Sequence, residues 1–209
     1  MRIEDILGLG PVMPVITVAS AAQAVPLARA LAAGGLPAIE VTLRTDAALD
    51  AIRAIAAEVP EAVPGVGTAL NPKHLEAAAK AGAKFALSPG ATATLLDAGL
   101  SSPIPYLPAV ATASEMMAAM ERGYSAFKFF PAAACGGPAA LKAFAGPFPA
   151  LRFCPTGGID AASAPAYLAL GNVLCVGGSW IAPADAVARE DWAEIERLAR
   201  AAAAMGAKT

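Results

Sequence analysis

Three charged side chains fall where strand alternation would gather them on inward faces, and their types suit carbonyl chemistry. The stretch "SAFKFFPAAACGG" (125–137) sets Lys128 among Phe127, Phe129 and Phe130, although lysine is rarely buried unpartnered because its ammonium loses hydration there. Successive strand side chains point to opposite faces, so Ala126, Lys128 and Phe130 share one face while Phe127 and Phe129 share the other. In "AIEVTLR" (38–44) the same parity groups Glu40, Thr42 and Arg44 against Ile39, Val41 and Leu43. If the apolar rows pack on helices, the polar rows converge inside.

An apolar enclosure destabilises an ammonium and leaves more free amine to attack a carbonyl, which makes Lys128 a candidate Schiff-base nucleophile. The protonated imine of a keto substrate is an electron sink, so the neighbouring C–C bond can break to an enamine. Glu40 is the candidate proton carrier. Arg44 offers a planar fork for a carboxylate, and together the three suit a 2-oxo acid. Blander accounts compete: strand lysines usually reach solvent, and Glu40 with Arg44 could be an internal ion pair. Finding both beside an inward lysine favours chemistry.

Two glycine-rich strand ends come late, "PTGGI" (155–159) and "VGGSW" (176–180). Loops after the last strands of parallel barrels often bind phosphate through backbone N–H groups and a helix N-terminus. Thr156, Gly157, Gly158, Gly178 and Ser179 are the phosphate candidates; alternatively these glycines only permit tight turns. "GVGT" (65–68) and "SPG" (88–90) are weaker signals: Thr68 could hydrogen-bond a substrate carboxylate and Pro89 could shape a wall, but turn chemistry explains both equally. His74 reads as an exposed helix residue. Cys135 and Cys154 lie near the proposed loops with no sign of activation.

The elements that position these residues alternate. Strand candidates lie at 12–18, 38–44, 63–69, 84–89, 104–110, 126–131, 151–158 and 172–178, separated by Ala-rich helical segments, several ending on Gly. Pro26 should lie early in its helix or kink it. A short amphipathic helix opens the chain, and "EDWAEIERLARAAAAMGAKT" closes it as an amphipathic helix with a loose tail. About eight strand–helix repeats predict an α/β fold of the (β/α)8 TIM-barrel type, a single domain over 1–209.

Composition narrows the function classes. Hydrophobic residues make up 57% and charged residues 15% of 209, rich enough in apolar surface to predict subunit contacts. A net charge of -2 supplies no basic field for nucleic acid or an anionic membrane. Neither a membrane span nor a signal peptide is apparent, so the expected location is the cytoplasm. Three cysteines without metal-ligand spacing predict reduced thiols and no metal. A single histidine leaves little for a His-rich metal site or a Ser-His-Asp triad.

"PVMPVITV", "IEVTLRT", "GVGTALNP", "FALSPG", "FKFFPA", "GPFPALRFCPTGGI" and "VLCVGGSW" occur in the order found in the class I 2-keto-3-deoxy-6-phosphogluconate (KDPG) aldolases, which also act on 4-hydroxy-2-oxoglutarate (KHG), and the chain closely resembles that family over nearly its whole length. The resemblance implies that Lys128 forms the Schiff base, Glu40 transfers protons, and Arg44 with Thr68 holds the pyruvate carboxylate. It further implies that Pro89 and Phe130 flank the pyruvyl part and that Gly157, Gly158 and Ser179 receive the phosphate. A homotrimer using no cofactor or metal is expected, its substrate a small phosphorylated 2-oxo acid. Thr156 resembles the gluconate-type enzymes, with the galactonate-epimer (KDPGal) aldolases as the alternative. A phosphosugar isomerase or epimerase on the same barrel, or a non-catalytic phosphometabolite binder pairing Lys128 with Glu40, are remoter readings. "FFPAAACGG" departs from the pattern, which leads one to expect a more polar residue near Ala133 or Cys135.

Overall fold

Strand and helix alternate along the chain in the computed structural model, which describes residues 1–206. Helix α1 (Ile3–Leu7) leads into β1 (Val12–Ile16), followed by α2 (Ala21–Ala33), β2 (Ala38–Thr42), α3 (Ala48–Glu58), β3 (Val63–Gly67), α4 (Pro72–Lys80), β4 (Phe85–Leu87) and α5 (Ala93–Leu100). The second half contains β5 (Tyr106–Leu107), β6 (Ala109–Val110), α6 (Ala113–Met120), β7 (Ala126–Phe129), α7 (Gly137–Phe144), β8 (Arg152–Pro155), α8 (Ala164–Leu168), β9 (Val176–Gly178), α9 (Ala184–Ala188) and α10 (Trp192–Ala203). A single 3-10 turn, Ala204–Gly206, follows α10, and the tail expected at 207–209 lies outside the described residues.

Every strand pairing is parallel. The hydrogen bonds form a six-stranded sheet, β5-β4-β3-β2-β1-β9, and a three-stranded sheet, β6-β7-β8. The α/β class is therefore as expected, while regular pairing runs as two sheets instead of one unbroken eight-stranded ring. Isolated parallel bridges, Phe153 to Val173 and Thr156 to Gly177, link β8 to β9 and its approach. The strand expected at 104–110 is split into β5 and β6 by Pro108, which has no N–H to donate but whose carbonyl accepts from the Lys128 N–H at 2.9 Å.

Local chemistry accounts for the helix boundaries. The Ser20, Asn71 and Thr112 side chains each accept a backbone N–H at the start of α2, α4 and α6, satisfying donors that the first turn leaves free. Pro26 sits inside α2, beyond its first turn. Glycines 35, 82 and 123 follow α2, α4 and α6 with φ near +90°, as helix ends require.

Strand parity divides the buried residues into two bodies. Ile39, Val41, Phe127, Phe129 and Phe153 join the core between strands and helices. The alternate residues Met13, Ala38, Phe85, Leu87, Leu107, Ala126, Cys154 and Cys175 form an interior cluster with Ile6 and Leu7 of α1. Burying a side chain the size of Leu or Phe contributes about 1.5–3 kcal/mol, so both bodies matter to the fold. Because Met13, Ala38 and Ala126 lie at strand beginnings, α1 packs where the strands start. Glu40, Thr42 and Lys128 come later on the same strands.

Candidate active site

Lys128 of β7 and Glu40 of β2 meet inside this strand framework. The Lys128 ammonium donates to Glu40 Oε1 at 2.9 Å and to Oε2 at 3.2 Å, with the residues only 4% and 1% exposed. The Phe130 ring centroid lies 5.4 Å from Lys128 Nζ, within range of a cation–π attraction. The inward carboxylate expected beside the lysine faces the amine directly, so the enclosure is not apolar on every side. Desolvating such a pair costs several kcal/mol per ion and often leaves it no better than an apolar substitute, so stability alone is a poor reason to place it here.

Glycine makes room for the pair. Gly67 ends β3 beside Glu40, and a Cβ there would overlap the Glu40 carboxylate. Alternation of Gly65 and Gly67 in "VPGVG" carries this signal, since glycine inside a strand marks a close approach. The next residue, Thr68, has φ +63°, a left-handed backbone that is costly for a β-branched side chain. Thr68 and Pro89 are half-buried beyond the ends of β3 and β4. Neither lines the cavity described next.

That cavity, about 730 Å³, opens above the ends of β1, β8 and β9. It gathers Arg44, Phe130, Thr156, Gly157, Gly158, Gly178 and Ser179 from the predicted set, with Thr17 and Trp180 in addition. Phe130 connects it to the buried pair, lining the cavity while its ring stands near Lys128. Arg44 is exposed just past β2, and neither a hydrogen bond nor a salt bridge occupies its guanidinium among the described residues. Thr17 belongs to the inward row of β1 by the same two-residue period that selects Glu40 and Lys128, so its signal was present in "VMPVITV".

Backbone bonds tie the loops after β7 and β8 together: Ala132 N–H donates to the Thr156 carbonyl at 2.8 Å and Ala133 N–H to the Gly157 carbonyl at 3.0 Å. Gly157 and Gly158 have φ +101° and +73°, conformations that favour glycine. A Cβ on Gly158 would come within 2.7 Å of the Ala133 Cβ. Ala133 thus packs on Gly158 at the place where, with Cys135, a more polar residue was expected; nothing in the structure explains that departure. Gly178 is buried, and a Cβ there would overlap the Trp180 ring; close packing, not a left-handed backbone, demands this glycine.

The remaining titratable groups have structural settings. Cys175 donates to Cys154 at 3.6 Å inside the strand framework. That hydrogen bond, followed by burial, pushes the Cys175 thiol well above its ordinary range. Both sulfurs are free thiols. Burial pushes the Tyr106 phenol up, partly offset by its 2.5 Å hydrogen bond with Ser88. Asp160 is held below the ordinary carboxylate range by the Ser163 hydroxyl and by backbone N–H donors in the turn after β8. His74 is half-buried on α4, its Nδ1 accepting the Leu70 N–H at 3.3 Å, outside the cavity.

A parallel α/β framework that seals a lysine against a carboxylate, below a cavity rimmed by glycine loops, has the parts that covalent-lysine chemistry on a carbonyl compound needs. A family model described as "KDPG and KHG aldolase" matches residues 3–198, and the chain belongs to that family. It is 56% identical over 199 residues to the KHG/KDPG aldolase of Escherichia coli, covering 95% of this chain and 93% of that protein. The 2-dehydro-3-deoxy-phosphogluconate aldolase of Pseudoalteromonas atlantica is 53% identical, with 96% and 94% covered. Among solved structures, KDPG aldolase from Legionella pneumophila, with pyruvate captured as a covalent carbinolamine intermediate, superposes with a TM-score of 0.95 at 45% identity, covering 97% of this chain and 98% of that one. No helix among the described residues is long and apolar enough to cross a membrane.

Proposed function

We propose that this aldolase reversibly cleaves 2-dehydro-3-deoxy-6-phosphogluconate to pyruvate and glyceraldehyde 3-phosphate, and 4-hydroxy-2-oxoglutarate to pyruvate and glyoxylate. The observation that carries this reading is the buried Lys128–Glu40 contact at 2.9 Å. Passing a proton from Nζ to the carboxylate frees the lone pair of Lys128, which adds to the C2 ketone. Loss of water then gives the protonated imine. Glu40, again a carboxylate, takes the C4 hydroxyl proton, directly or through water, as the C3–C4 bond breaks. The bonding pair moves into the imine to give an enamine, and the aldehyde leaves. Protonation at C3 and hydrolysis release pyruvate and restore the amine.

Arg44 and Thr68 are assigned to the carboxylate of the pyruvyl half, with Pro89 and Phe130 beside its apolar part. Thr156, Gly157, Gly158, Gly178 and Ser179 are assigned to the far half and its phosphate. The free guanidinium of Arg44 and the glycine-lined cavity support that division. The chemistry uses lysine as its electrophile-forming group and calls for no metal or cofactor.

The same reading includes a closed (β/α)8 barrel in one domain, supported by the bridges between β8 and β9 and by Pro108 joining β5 to β6. A homotrimer is supported by the exposed apolar side chains Leu70, Leu100, Met117 and Met120. Cytoplasmic residence is supported by three free thiols, the form a reducing compartment maintains. Borohydride added with pyruvate should inactivate the enzyme and fix one three-carbon adduct on Lys128, detected by peptide mass spectrometry. Lys128→Ala should take no adduct and lose about 10⁵-fold in kcat; an untrapped wild type, or an active Lys128→Ala enzyme, would sink the proposal.

A further inference from the structure

Thr17 shares a hydroxyl–hydroxyl contact with Thr42, which has a second acceptor within reach. Thr42, 1% exposed beside Glu40 on β2, donates its Oγ1 hydrogen to the Ile16 carbonyl at 3.1 Å. A hydroxyl has one proton, and a carbonyl can only accept. Both contacts of Thr42 are hydrogen bonds at once only when the 2.8 Å contact between Thr17 Oγ1 and Thr42 Oγ1 uses the proton of Thr17. The lone pairs of Thr17 are left to accept from the cavity it lines.

Position then limits what Thr17 can meet. Strand β1 lies between β2 and β9, with Ile16 in register with Val41 and Pro14 with Gly178. Thr17, just beyond β1, thus stands between Arg44 past β2 and Ser179 past β9. A second side-chain bond, Thr45 Oγ1 to the Val18 carbonyl at 2.8 Å, holds the strand end on the other side of residue 17. An acceptor placed between a carboxylate-binding arginine and a phosphate-binding loop faces the middle of the substrate, where the groups able to donate are hydroxyls.

We propose that Thr17 is a specificity residue that accepts a hydrogen bond from the C5 hydroxyl of the phosphorylated substrate, which becomes the C2 hydroxyl of the released aldehyde. The C4 hydroxyl is excluded because its proton leaves in the cleavage step. The inference rests on the aldolase reading above. It adds a residue that selects the aldehyde half, with Thr42 as the positioning residue that orients it.

The test runs the reaction towards synthesis with two aldehydes, glyceraldehyde 3-phosphate and 3-oxopropyl phosphate, which lacks only the hydroxyl. Thr17→Val should lower kcat/KM about 10-fold for the first, the scale of one neutral hydrogen bond, and change the second less than 2-fold. Thr17→Ser should restore the preference and Thr17→Ala should repeat the valine result, guarding against a packing effect of either. Equal losses with both aldehydes, or no loss with glyceraldehyde 3-phosphate, would overturn the assignment. Borohydride trapping of pyruvate on Lys128 in wild type and variants separates the two levels. Trapping without the aldehyde discrimination removes only the role of Thr17, whereas an untrapped wild type removes the aldolase reading and this inference with it.

Discussion

The Lys128–Glu40 pair and the glycine loops above it obey opposite building rules. The pair is made of strand residues that are almost fully buried, held by their register on β7 and β2. The loops are backbone surfaces with left-handed glycines at 157 and 158, knitted by main-chain bonds to Ala132 and Ala133. Chemistry at a single nitrogen requires a fixed distance to one carboxylate, and strands provide it. Capturing an anion needs several N–H donors turned one way, which side-chain-free positions allow. Damage to the first region should therefore appear in kcat, and damage to the second in KM for phosphorylated substrates.

After loss of the nucleophile itself, the largest effect should come from removing the charge but not the shape of the proposed proton carrier. Glu40→Gln should lower kcat by about 10²–10⁴-fold while borohydride still traps pyruvate, though more slowly. An unchanged kcat would take Glu40 out of proton transfer. Gly67→Ala tests whether the pair depends on space made by its neighbour, because the added methyl overlaps the carboxylate. A fall in kcat of about 10²-fold is expected, with about 1–3 kcal/mol of lost stability from overpacking; full activity with an unchanged melting temperature would show that Glu40 is not confined by β3.

The smallest effect should fall on the loops. Gly158→Ala forces a side chain into a φ of +73° and against Ala133. The expected result is a roughly 10-fold rise in KM for the phosphorylated substrate, a cost of about 1–2 kcal/mol for the left-handed residue being felt in the loop proposed to receive the phosphate. Activity on 4-hydroxy-2-oxoglutarate, which carries no phosphate, should hold within about 2-fold. If both substrates suffer equally in steady-state assays, the division between the two regions is wrong.

Much of the fold could be read from periodicity. Each of the eight expected strand segments contains regular parallel strand, and the inward row of Ala126 and Lys128 separates from Phe127 and Phe129 as alternation requires. Pro108 shows where the reading thins: proline's missing N–H divides one expected strand in two, and this depends on its place in the ladder. Among site residues, Arg44, Phe130, Thr156 and the late glycines gather around the cavity, whereas Thr68 and Pro89 stand apart from its lining. Gly67 and Thr17 were visible as residue types. Their partners were not.

By itself the sequence determined which way each strand residue faces, where turns need glycine and which chemical groups the chain can supply, because these follow from local backbone geometry. Tertiary structure alone decided that an amine and a carboxylate 88 positions apart lie 2.9 Å from one another, and that Thr42 stands within hydrogen-bond reach of both the Ile16 carbonyl and the Thr17 hydroxyl. Contacts of that kind depend on the relative slide of neighbouring strands and on which residues leave space between them. No local pattern encodes those distances; they emerge only when all the strands are packed.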